Sequence, residues 1–185
     1  MFTTVRPRWF CLLSGGIMIC LLLSTSLTMA NDDDEVTFSI DQTVECVEGI
    51  EASSPNRGDH AVLACVGQSA QACMMAPGGG HTFGMISCLS AEAEYWDERM
   101  AEAYDEALAA AQSNDEELQR VGSAAPSITE TLQARQEAWL SFRQAACRHE
   151  QALWMGGTGA GPATQACYMH ETARHSLRLE GWFSF

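Results

Sequence analysis

Two groupings in this sequence hold residue types that could do chemistry. His170-Glu171, followed by His175, offers two imidazoles and a carboxyl close together. A zinc hydrolase of that kind needs its histidines at i and i+4, with the glutamate between them as base. Here the second histidine falls at i+5, about 500° round a helix, so the imidazoles diverge and no metal site is expected. The second grouping is acidic: Glu92, Glu94, Asp97, Glu98, Glu102, Asp105 and Glu106 crowd one segment. A glycosidase pair would need one carboxyl in an apolar pocket to raise its pKa. These acids read instead as the solvated side of a helix. His60, His81 and His149 are scattered polar positions, and no Ser–His–acid set stands out. Neither a catalytic residue nor a cofactor is expected, and the chain reads as a non-enzyme.

Cysteine is the remaining reactive type. Cys46, Cys65, Cys73, Cys88, Cys147 and Cys167 follow a leader-like segment that holds Cys11 and Cys20. Six cysteines in a small exported chain read as a disulfide framework, with fifteen possible pairings. No CxxC-type spacing suggests a thiolate metal site.

The leader-like segment is residues 1–30. Arg6 and Arg8 give a basic start, an apolar stretch follows, and Thr28-Met29-Ala30 offers small residues for a signal peptidase. This order is expected to be a secretory signal peptide; the competing reading is a retained N-terminal anchor. The chain has ten arginines, no lysine and 24 acids, for a net charge of −14. Loss of residues 1–30 would remove two arginines and no acid, leaving about −16. That balance excludes a basic footprint for nucleic acid or for an anionic membrane. A strongly basic protein would be attracted to it.

The elements that must position these residues read as helices throughout. Residues 31–40 are expected to form an acidic, flexible tail. A helical hairpin is expected over 41–76: a first helix from Asp41, a turn at Ser53–Gly58, and a second helix capped by Asp59. Thr82 is expected to cap a long third helix, whose apolar stripe runs through Met85, Leu89, Ala93, Trp96, Met100, Ala103, Ala107 and Ala111 before a break at Ser113-Asn114-Asp115. Ser127 with Glu130 reads as the capping box of a fourth helix, which Gly156-Gly157 ends. A last helix is expected from Thr164 to about Leu179. Nothing alternates with period two. The expected fold is all-α: a small disulfide-stapled helical bundle with two long antiparallel helices and shorter flanking helices, residues 77–181 forming one unit with 41–76.

In the fourth helix, Trp139, Arg143 and Cys147 recur every four residues and share a row. Trp139 and Phe142 are expected to fill the seam between the third and fourth helices, with Trp96 of the third helix's apolar stripe a further structural residue. Arg143 then needs a carboxyl partner, with Glu92, Glu94 and Glu171 the acids in reach.

Cys73, Thr82, Met85 and Cys88, an acidic helix with Trp96 and Tyr104, the block from Gln136 to Arg143, Cys147, a Gly-rich loop and Cys167 with Glu171-Thr172-Ala173-Arg174 make a specific combination. It resembles the N-terminal domain of the LprI-like lysozyme inhibitors, also catalogued as a domain of unknown function, over roughly Cys73 to Leu179. The resemblance implies an exported helical domain whose attributed role is lysozyme inhibition. It also implies pairs Cys73–Cys88 and Cys147–Cys167, which leaves Cys46 for Cys65. Each closes a loop for which chain entropy suggests roughly 3 kcal/mol.

Two Gly-rich loops are binding candidates, through Gly79, Gly80 and His81 and through Thr158 and Gly159, since glycine permits close approach to an enzyme cleft. The leading expectation is a protein of the bacterial periplasm that attracts a basic lysozyme or other cell-wall hydrolase and blocks its cleft. The alternative is a non-inhibitory envelope interaction or stress module.

Overall fold

In the computed structural model, residues 35–53 and 60–182 are described; the expected signal at 1–30, the tail at 31–34 and the turn at 54–59 lie outside them. The chain runs through α1 (Asp41–Ser53), a 3-10 turn (His60–Cys65), α2 (Gln68–Met75), α3 (Thr82–Arg120), α4 (Ile128–Leu153) and α5 (Ala160–Leu179). The fold is all-α, and the three disulfides among the described residues are Cys46–Cys65, Cys73–Cys88 and Cys147–Cys167. They tie α1 to the 3-10 turn, α2 to α3, and α4 to α5.

The three long helices share one packing logic. Arg143 of α4 reaches Asp97 of α3 and Thr172 of α5, while Gln136 reaches Met100 and His175. So α4 runs antiparallel to both. On α5, Gly161 abuts Ile86 and Glu180 holds Arg99, so α5 runs parallel to α3 and their N-termini lie together. The core is Val47, Val62, Leu89, Trp96, Met169, Leu177 and Trp182.

Several boundaries differ from expectation, each for a local reason. Asp59 lies outside the described residues, and the expected second helix is split. A 3-10 turn comes first, and α2 begins only after Gly67, whose φ of 93° suits glycine alone. The cap of α3 is His81, not Thr82: its Nδ1 accepts from the Gly84 N–H at 3.1 Å. Nor does α3 break at Ser113-Asn114-Asp115, because tertiary bonds use the Asp115 carboxyl. It accepts from the Ser127 hydroxyl and the Ile128 and Thr129 N–H groups, at 2.7, 2.7 and 2.9 Å. These bonds hold its pKa well below the ordinary carboxylate value. The stop comes at Gly122, φ 68°, with Ser123 N–H on the Leu118 carbonyl and Gly122 N–H on Gln119. α5 starts earlier than expected, with Pro162 tolerated in its first turn. It ends in the same closure at Gly181, which returns Trp182 to the core at 1% exposure.

Glu92 corrects the acidic-face reading. It is fully buried, and four groups donate to it: Gly67 N–H at 2.6 Å, Ala70 N–H at 2.8 Å, Thr43 Oγ1 at 3.0 Å and Trp96 Nε1 at 3.2 Å. An acceptor-only group is satisfied there by orphan donors at the start of α2. Thr43 and Ser69 complete the pin, each backbone N–H donating to the other's hydroxyl at 3.0 and 3.1 Å.

Phe142 does not fill the seam. It is 55% exposed, because it precedes Arg143 and so sits about 100° round the helix from it. Trp139 is buried and stacks on His175 of α5. Arg143 pairs with Asp97, not with Glu92, Glu94 or Glu171; Glu171 holds Arg174 instead.

Candidate functional site

Parallel packing of α3 and α5 brings the two Gly-rich loops to one end of the bundle. Their residues play different parts there. Gly79 is buried, and a Cβ on it would strike the Cys73 carbonyl, so its use is close packing of the α2–α3 connection. Gly80 and His81 are exposed, although one ring nitrogen of His81 is occupied in capping. Thr158 is exposed. Gly159 lies under the indole of Trp154, which a side chain there would displace.

The preceding residues, missed in the sequence, add exposed apolar side chains to this end, as do Met75 and Phe83 beside the first loop. After α4 ends at Leu153, Trp154 is 49% exposed and Met155 93% exposed. Met155 has φ 48°, a left-handed conformation that an unbranched non-glycine residue adopts only at a cost, and Gly156 follows at φ 84°. An exposed thioether held in that conformation marks a prong at the loop apex. A Trp-Met pair ahead of a Gly-Gly stop was the available signal.

Beside the prong lies a groove of about 560 Å³ between α2, the turn that precedes it, and the N-terminal stretches of α3 and α5. Its walls are mainly Met74, Met85, Leu89, Trp154, Ala166 and Met169.

Away from this end, the surface is acidic. Glu94, Glu98, Glu102, Asp105 and Glu106 are exposed along α3, as are Glu45, Glu48 and Glu51 along α1. Arg99 lies among them, gripped by Glu180 through two bonds of 2.7 Å that raise its pKa above the ordinary value. Among the described residues, no three His, Cys, Asp or Glu side chains group as metal ligands, and no helix is long and apolar enough to cross a membrane.

Arg143, Trp139 and His175 form a structural cluster in mid-bundle. The guanidinium lies 4.7 Å from the Trp139 ring and donates to Asp97 and Thr172 at 2.7 Å each. Burial, then the charges of Arg135, Arg178 and Arg143, push His175 down to about 4.

Comparison with known proteins places this arrangement. The chain is 27% identical over 144 residues to an uncharacterized 17.7 kDa protein in the puhA 5′ region of Rhodobacter capsulatus, covering 75% of this chain and 83% of that one. No solved structure matches. Residues 73–179, more than half of the chain, match the lysozyme inhibitor LprI family, from the α2–α3 disulfide to the end of α5. The chain belongs to the LprI lysozyme inhibitor family.

Proposed function

We propose that this protein is an exported inhibitor of lysozyme or a related basic cell-wall hydrolase, acting by occupying the cleft rather than by chemistry. The family match across residues 73–179 carries the reading. Three disulfides fit an oxidising compartment outside the cytoplasm. Residues 1–30 serve as the secretory signal, and the bacterial periplasm is the destination.

The net charge of −14, about −16 once residues 1–30 are removed, draws a basic enzyme inward from beyond contact range, which raises the association rate. The exposed carboxyl groups of α1 and α3 carry that field. Blocking falls to the opposite character: the loop end, where Met155 projects with Gly80, His81, Thr158 and Gly159 around it. Methionine adapts to an irregular cleft, and the rigid bundle behind it limits the entropy lost on binding.

The test is titration calorimetry of the mature protein against a basic lysozyme at low salt. The expected result is saturable binding that weakens as salt is added. Absence of heat with several lysozyme types would rule the reading out.

A further inference from the structure

The groove beside the prong has a chemistry unlike the rest of the molecule. In a chain with 24 acids, none of the described residues lining it is a carboxylate or an arginine. Its apolar lining is mainly three thioethers (Met74, Met85, Met169), Leu89 and the half-exposed Trp154, with small alanines among them. A volume of about 560 Å³ is that of a small-molecule site, well beyond what one inserted side chain fills. Thioethers repack around varied apolar shapes, which suits a flexible chain better than a rigid ring system.

Polar lining is confined to Gln68, Gln71 and His170. The Gln68 amide already donates to the Ala64 carbonyl at 3.1 Å, which leaves Gln71 and His170 as the polar edge. Desolvation, the largest influence, lowers the His170 pKa from its ordinary value and so favours the neutral imidazole. Arg174, one turn on along α5, is engaged by Glu171. An anionic headgroup would therefore meet no cation of the groove, inside a protein whose overall field repels it.

We propose that this groove binds a neutral single-chain amphiphile, with the acyl chain along Met74, Met85, Leu89 and Met169 and an uncharged hydroxylated head hydrogen-bonded at Gln71 and His170. The site is distinct from the prong, although Trp154 serves as its outer wall.

The experiment titrates the mature, disulfide-intact protein with a medium-chain monoacylglycerol below its micelle concentration, by calorimetry and by tryptophan emission. Trp96, Trp139 and Trp182 are buried, so Trp154 is the reporter among the described tryptophans. The expected result is saturable binding with a blue shift. Ala163→Phe, which fills the groove from a half-buried position, and Trp154→Ala, which removes the wall from an exposed loop, should each weaken it about tenfold while the helical circular dichroism is kept. The free fatty acid of the same chain length should bind more weakly. No saturable binding to the wild type, affinities unchanged in the folded variants, or equal affinity for the fatty acid would each overturn the proposal. No hydrolase is present, so the outcome is separate from that of the inhibition reading.

Discussion

The indole of Trp139 lies flat on the imidazole of His175, with ring centroids 4.0 Å apart and planes 8° from parallel. The stack joins α4 to α5, and His175 Nε2 meets Gln136 Oε1 at 2.7 Å from the same side. The ring is 2% exposed and faces Arg135, Arg143 and Arg178, so protonation in place is unfavourable.

That arrangement gives a pH dependence with a definite sign. Unfolded, His175 titrates near its ordinary value of 6.5; folded, near 4. The unfolded chain therefore binds the extra proton first, and the stability contribution, full above pH 6.5, is lost as pH falls toward 4. The loss by pH 4 is of the order of 3 kcal/mol. Urea unfolding at pH 7 and pH 4.5 should show it in the wild type, and His175→Phe should flatten it.

Glu92→Ala should destabilise the protein by about 3–5 kcal/mol, since it strands buried donors from Gly67, Ala70, Thr43 and Trp96. Glu92→Gln should fall between, because an amide supplies one acceptor oxygen where the carboxyl supplies two. Thermal unfolding of the oxidised protein orders the three. Equal midpoints for wild type and alanine variant would contradict the pin.

Arg143→Lys should cost about 1–2 kcal/mol, as an ammonium cannot lie flat against Trp139 while bonding Asp97 and Thr172. A double-mutant cycle with Asp97→Asn isolates the ion pair. Asp97 is half exposed, so the coupling should lie below about 1 kcal/mol and shrink in salt.

Met155→Gly should leave stability within about 1 kcal/mol, because relief of the left-handed strain offsets the added freedom of the unfolded chain. Its effect should appear in hydrolase binding instead, as a loss of about tenfold or more. Calorimetry on the folded variant separates the two.

Helical periodicity made the long elements legible. The Met85–Ala111 stripe and the Ser127 cap both describe the observed α3 and α4. Side-chain assignments were less legible where a residue's neighbours disguised it. Glu92 stands among solvated acids, and only its place in the row Cys88, Glu92, Trp96 marks it as inward-facing. Asp115 looked like a breaker because its partners, Ser127 to Thr129, lie across a hairpin. The loop end was readable as two Gly-rich segments, yet their meeting depends on the parallel run of α3 and α5, which no local pattern encodes.

The central claim is that the loop end blocks a basic cell-wall hydrolase drawn in by charge. Its most direct measurement is the rate at which lysozymes of several types clear a cell-wall suspension at low salt, with wild type or Met155→Gly in excess. The account predicts inhibition by the wild type that weakens as salt shortens the Debye length to about 8 Å near 0.15 M, and much less inhibition by the variant at every salt concentration. Unchanged clearing by every lysozyme with excess wild type, or equal inhibition by the glycine variant, would contradict it.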